Sequence, residues 1–339
     1  MKKEIENLKN EIQCLRLQPF GFFTIAADES LCLYYTGLRL YILEVLLELI
    51  SLVEVPWYDG KKIKKLKSED QLLLTLMKLR LNLGYTDLGY RFGISTSTAF
   101  RVVCSIISVL HTIVYKSMFN KMASRRKNQQ SLPIAFASFT HCRIIVDCTE
   151  FRCQTPKQMD RQKITWSNYK KGNTLKALLG SAPNETVTFV SKCYPGSVSD
   201  KEIVRHSGLI KMLEPGDMIL ADKGFLIYDQ LPKGISVNIP PFLGVPQFTP
   251  AQIAKTRNIA KARIHIERVN CRLKNYRILK FIPTSLFSRA SMILQCIAGL
   301  INFQNPLITA VSDKMRTIDE NFEDVHGIEN IEIKEEKLR

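Results

Sequence analysis

Three acidic residues stand in settings where their chemistry can be used. Asp147 ends the apolar run Ile144-Ile145-Val146. Asp222 ends a second run, Met218-Ile219-Leu220-Ala221, and precedes Lys223-Gly224-Phe225. Glu267 lies in Arg263-Ile264-His265-Ile266-Glu267-Arg268, inside a long expected helix. An acid at the end of a buried strand offers its oxygens at the sheet edge, where ligands of open sheets collect. Gathering three such groups is unfavourable, because two unit charges about 4 Å apart cost about 4 kcal/mol at an effective dielectric near 20. Hard divalent cations remove that cost, and paired cations promote in-line displacement at phosphorus.

The charge of the chain narrows what such a site would act on. The 339 residues carry a net charge of +16, unevenly spread. Residues 311–339 hold nine acids against five bases, a net of −4, which leaves +20 on residues 1–310. A solvated surface of that sign attracts polyanions, so acids of this kind in a body this basic point to a metal-dependent enzyme acting on DNA. No lipidation signal or amphipathic basic helix accompanies the charge, so a membrane partner is not expected. The apolar stretch Leu38–Val53 contains Glu44 and Glu48, and Met292–Ile301 is short, so both are expected as core helices. The charged start predicts no secretory signal. Nine cysteines, at 14, 32, 104, 142, 148, 153, 193, 271 and 296, form no CxxC pair, which predicts reduced thiols and no structural zinc.

Several elements must position the acids. Ile5, Leu8, Ile12 and Leu15 follow a 3-4-3 spacing, so residues 1–16 read as a short coiled-coil fragment, able to support a homodimer, or as a frayed helix. A helical region covers 35–120. After a basic run (Lys61, Lys62, Lys64, Lys65, Lys67), Ser68 and Gln71 suggest a capping box, and leucines recur at helical spacing until Gly84. A second helix, Thr86–Phe92, stops at Gly93, and Ser95 or Thr96 caps a third. Together these predict a helix-turn-helix over about 64–110, either binding DNA or serving as a packing module.

From Arg143 the pattern changes to strands: Arg143–Cys148, Leu175–Ala182, Val187–Tyr194, Asp217–Ala221 and Ser236–Ile239, with a helix Asp200–Leu213 capped by Ser199 and Glu202. This is an α/β arrangement, a mixed five-stranded sheet flanked by helices and preceded by an all-α domain. Thr249-Pro250-x-Gln252 opens the last long helix, whose core stripe is Ile259, Ala262, Ile266, Val269 and Leu273. Glu267 lies at the border of that stripe, with Arg263 and Cys271 as its i−4 and i+4 neighbours. His265, roughly opposite Glu267, reads as a packing or hydrogen-bonding residue. Trp166, Tyr169, Lys170 and Lys171 place aromatics beside cations in a loop that suits DNA contact or simple exposure. Residues 311–339 read as an acidic, disordered tail.

Several strings together resemble one family. They are Val146-Asp147-Cys148-Thr149-Glu150, Tyr169-Lys170-Lys171-Gly172-Asn173-Thr174-Leu175-Lys176, Tyr194-Pro195-Gly196-Ser197-Val198-Ser199-Asp200-Lys201, Pro215 to Phe225, Ile239-Pro240-Pro241-Phe242, and Arg263 to Arg268. The chain resembles DDE-superfamily transposases of the Harbinger and ISL2EU-like groups over residues 35–305, without a THAP-type finger. The resemblance implies a ribonuclease-H-like fold over 143–305 and aligns Asp147, Asp222 and Glu267 with the metal-binding catalytic triad. It also implies two Mg²⁺ or Mn²⁺ ions, double-stranded DNA as partner and no small-molecule cofactor, and that function together with the Lys61–Lys67 run predicts a nuclear location. The implied reaction is strand cleavage at a transposon end, followed by attack of the freed 3′-OH on target DNA. Glu150 and Asp200 fall in the same strings as candidate supporting residues, and Lys223 as a contact to the scissile phosphate. A domesticated DNA-binding protein that keeps the fold without cleaving is the competing expectation.

Overall fold

The computed structural model describes residues 4–6, 20–241 and 249–305. The heptad segment 7–16, Phe242 and the acidic stretch 311–339 lie outside the described residues. In chain order the helices are α1 (Phe22–Ala26), α2 (Glu29–Thr36), α3 (Leu40–Ser51), α4 (Ser68–Leu81), α5 (Tyr85–Arg91), α6 (Thr96–Leu110), α7 (Arg125–Gln130), α8 (Met159–Thr165), α9 (Asp200–Ser207), α10 (Pro250–Lys274) and α11 (Ala290–Ile301). The strands are β1 (Cys142–Arg152), β2 (Trp166–Ser167), β3 (Gly172–Ser181), β4 (Val187–Val190), β5 (Tyr194–Pro195), β6 (Met218–Leu220) and β7 (Ser236–Asn238).

Two compact units result. Among the described residues, the first comprises 4–6, 20–117 and 274–304, and the second 118–241, 249–273 and 305. The stretch 274–304, expected with the strands, therefore packs with the N-terminal helices.

In the helical unit, α4, α5 and α6 form the helix-turn-helix. Gly89 is required there: a Cβ would lie 2.7 Å from the Ile94 carbonyl oxygen. Gly93 takes φ +61°, the left-handed region that ends α5 cheaply. Ser95 caps α6 by accepting from the Thr98 amide at 3.2 Å. The expected box at Ser68 does not form. Lys67 occupies the cap position, and the Gln71 amide is buried, donating to the carbonyls of Leu66 (2.8 Å) and Ile63 (3.4 Å). The α4 helix ends at Asn82 in the left-handed conformation, ahead of Gly84.

Thr96–Lys116 and Thr284–Ile301 are long and apolar enough by composition to cross a membrane. In this unit Val102, Val103, Ile107, Leu110, Ile293, Leu294, Ile297 and Leu300 are all buried, and His111 hydrogen-bonds Gln295 at 2.9 Å. The two helices thus spend their apolar surface on the core, each buried Ile or Leu contributing about 1.5–3 kcal/mol.

In the second unit the sheet order is β2-β3-β1-β6-β7, with β4 and β5 also pairing β3. All five expected strands are present, and β2 and β5 add two-residue pairings. The β1/β3 and β3/β4 pairs are antiparallel, and β1/β6 and β6/β7 are parallel. One face of the sheet buries Ile144, Val146, Leu178, Ile219 and Ala221 against Ile203 and Val204 of α9. The α9 helix stops at Gly208 (φ +86°), and residues 209–212 form a 3₁₀ turn, so it is shorter than the expected Asp200–Leu213. The α10 helix opens with the expected reciprocal box: Thr249 N–H donates to Gln252 Oε1 at 2.9 Å, and Gln252 N–H donates to Thr249 Oγ1 at 3.3 Å. A mixed sheet covered by helices, preceded in the sequence by a helix-turn-helix, is the ribonuclease-H-like class expected from the sequence.

Candidate active site

The register of two parallel strands brings the aspartates together. Ile145 of β1 pairs with Leu220 of β6, the last pair of that ladder. Asp147 and Asp222 each lie two residues further on. Side chains two apart share a sheet face, and neighbouring strands lie about 4.8 Å apart, so this register sets both carboxylates at one level on one face. One expectation needs correction here. Asp147 is not at the tip of β1, which continues to Arg152 because antiparallel β3 pairs residues 145–152. Only the β6 side ends before Asp147. The open flank comes from the shortness of β6.

The α10 helix supplies the rest. Ile259, Ala262, Ile266, Val269 and Leu273 are at most 1% exposed, as the stripe required. That burial fixes the rotation of the helix, and Arg263, Glu267 and Asn270, at i, i+4 and i+7, share one adjoining face. Arg263 joins the acids: Nη1 lies 3.1 Å from Asp222 Oδ1, and Nη2 lies 3.9 Å from Glu267 Oε1. Asn270 Nδ2 donates to Asp147 Oδ2 at 2.7 Å. The Arg263 side chain is 18% exposed, against 49% for Asp222 and 61% for Glu267.

Burial pushes the Asp147 carboxyl up to about 6. The Arg263 charge and the Asn270 hydrogen bond oppose that rise, and the like charges of Asp222 and Asp200 add to it. An acid in this state gains from a cation placed beside it. Two buried polar atoms at the centre, Arg263 Nε and Asn270 Oδ1, have no hydrogen-bond partner. Among the described residues no group of three or more His, Cys, Asp or Glu is spaced to hold a metal ion. The donor chemistry is nevertheless of the kind that suits a hard divalent cation: two carboxylates lie within 4 Å of one guanidinium, whose charge also acts on Asp147. Sequence reasoning noted Arg263 only as a neighbour of Glu267 and missed Asn270, although the i+3 spacing from Glu267 marked it.

These features lie within residues 146–302, which match the family model for DDE superfamily endonucleases. The chain carries a DDE superfamily endonuclease domain. Residues 64–114 match the helix-turn-helix of DDE superfamily endonucleases, in agreement with the three helices around Gly89. A probable transposase for insertion sequence element IS702 from Microchaete diplosiphon is 26% identical over 260 residues, covering 75% of this chain and 88% of that protein.

The other residues singled out from the sequence in this domain have contacts of their own. Glu150 and Asp200 both engage Lys176, at 3.4 and 3.2 Å, and Thr174 Oγ1 donates to Glu150 Oε2 at 3.1 Å. Glu150 lies an odd number of residues from Asp147 on β1 and so faces the other side of the sheet. Asp200 reaches the Asp147 carboxyl only as a minor like charge. His265 packs as expected: Nδ1 lies 2.7 Å from Glu185 Oε1, and its ring lies against Phe136. Arg268 also reaches Glu185, at 3.3 Å. The Lys223 amide donates to Asp222 Oδ1 at 2.6 Å. In the expected contact loop, Tyr169 is exposed with the Lys170 ammonium 4.7 Å above its ring, and Trp166 is also exposed. None of the eight cysteines among the described residues is in a disulfide.

Proposed function

We propose that this protein is a transposase that cleaves DNA at transposon ends and transfers the freed strand, using Asp147, Asp222 and Glu267 to hold Mg²⁺ or Mn²⁺. The observation that carries the proposal is the parallel register placing Asp147 and Asp222 two residues beyond the Ile145–Leu220 pair, with Glu267 brought in by α10. Bound divalent cations would activate water against a phosphodiester and stabilise the leaving 3′ oxygen. The protein's own share is placement. The β1/β6 register sets the aspartates, the buried stripe of α10 sets Glu267, and Asn270 orients Asp147. The helix-turn-helix and the exposed lysines at 61, 62, 64, 65 and 67 suit duplex DNA as partner. A nuclear location, a homodimer formed through residues 1–16, and membership of the Harbinger or ISL2EU-like groups belong to the same proposal.

One observation favours a second reading: Arg263 already neutralises the acids. A domesticated protein that binds DNA without cutting it would have that arrangement permanently. Nicking of a duplex carrying the element's ends in Mg²⁺ or Mn²⁺ separates the two. Cleavage supports the transposase, and DNA binding without cleavage in either metal supports the domesticated form.

A further inference from the structure

Arg263 is the least expected member of the site. Its guanidinium lies within 4 Å of two of the three acids, and its charge acts on the third. It comes from the helix that carries Glu267, one turn before it, so no other element has to move for the contact to form or break. Glu267 and Asp222 are about half exposed or more, and the 3.9 Å contact to Glu267 is loose, so the bridge has a low barrier to opening. Arg263 Nε and Asn270 Oδ1 remain unpartnered at the centre, with the Asn270 residue only 7% exposed. A contact designed to be final would satisfy its buried polar groups, and this one leaves them open.

We infer that Arg263 is a built-in placeholder cation that holds the carboxylates together in the metal-free protein and must be displaced for a divalent ion to bind. The inference rests on the triad reading above. Without a cation the carboxylates would repel and the β6–α10 approach would loosen. With the guanidinium in place the site stays assembled, and a metal ion binds only by outcompeting a charge already there. Arg263 is therefore a positioning residue whose removal has opposite effects in the two states: it weakens the metal-free protein and strengthens metal binding.

The test is calorimetric titration of Mn²⁺ into the full chain, stripped of divalent ions, for wild type, R263M, R263K and D222N, with thermal melts of each with and without Mn²⁺. R263M is expected to bind Mn²⁺ about tenfold more tightly than wild type or better, because no charge must first be displaced. It should also melt lower than wild type without metal and recover in Mn²⁺. R263K keeps the charge and should stay within about threefold of wild type. Equal affinity of R263M and wild type, or R263K matching R263M, would overturn the inference. In that case D222N still reports on the triad: abolished binding leaves the triad reading standing, whereas unchanged binding removes both. Should R263M fail to fold without metal, refolding in Mn²⁺ is measured instead. Recovery supports the placeholder, and its failure in Mn²⁺, with R263K folded, refutes it.

Discussion

Replacing Asp147 by Asn should stabilise the metal-free protein while removing its chemistry, and the size of the gain follows from the site. The carboxyl is pushed by burial from 3.8 up to about 6. A group whose folded-state pKa is raised favours the folded state fully below about 3.8, and that contribution is lost as pH rises through about 6. Above pH 6 the folded protein therefore carries an ionised carboxylate that it tolerates less well than water does. Two units at about 1.36 kcal/mol each make that penalty about 3 kcal/mol. Asparagine is nearly isosteric and still accepts the Asn270 hydrogen bond through its own oxygen. At pH 8 without divalent ions, D147N should melt about 6–12 °C above wild type, at about 2–4 °C per kcal/mol for a domain of this size. Near pH 4 the two should nearly coincide. The assay is a pair of melts at the two pH values in chelator, repeated at pH 8 in Mn²⁺, where wild type should gain and D147N should not. A D147N protein no more stable than wild type at pH 8, or a gain independent of pH, would refute this account of Asp147.

Four further outcomes follow from particular contacts. Gly89→Ala should cost about 1–3 kcal/mol, since its Cβ would lie 2.7 Å from the Ile94 carbonyl, and should weaken DNA binding with it, measured by melts and fluorescence anisotropy. His265→Ala removes the 2.7 Å partner of buried Glu185 and should cost about 1.5–3 kcal/mol in chemical denaturation, with Arg268 limiting the loss. Changing Lys62, Lys64 and Lys65 to Ala should weaken binding to all duplexes alike and flatten the slope of log affinity against log salt by up to about three, one per lysine. Burial lowers the Lys78 ammonium to about 8. Between pH 8 and 10.5 the unfolded chain binds more protons at Lys78, so its contribution to stability should rise with pH there and vanish in Lys78→Met.

The sequence made the frame legible where one local pattern decided the outcome. The runs Ile144–Val146 and Met218–Ala221 admit little besides buried strands, and the stripe from Ile259 to Leu273 fixes which face of α10 turns inward. The reciprocal bonds of Thr249 and Gln252 were equally local. The Ser68 box misled because Gln71 satisfies the carbonyls of Ile63 and Leu66 instead, a choice made by burial. The extent of β1 was hidden because its far half is held by β3, a partner about thirty residues away, and only the β6 side stops at Ile145. Arg263 and Asn270 escaped for the same reason. Their helical spacing to Glu267 was visible, but their partners Asp222 and Asp147 appear only once the strand register and the helix rotation are both known.

The central claim is that Asp147, Asp222 and Glu267 act as one metal-dependent centre on DNA. The most direct measurement is strand nicking of duplexes carrying the element's ends in Mg²⁺ or Mn²⁺, run beside DNA affinity for wild type, D147A, D222A and E267A. The account predicts nicking by wild type only, loss in each variant by two orders of magnitude or more on the scale of removing a centre that acts as a unit, and DNA affinity within about threefold of wild type throughout. A variant that still nicks at the wild-type rate, or a wild type that binds the ends and never cuts them in either metal, would contradict it.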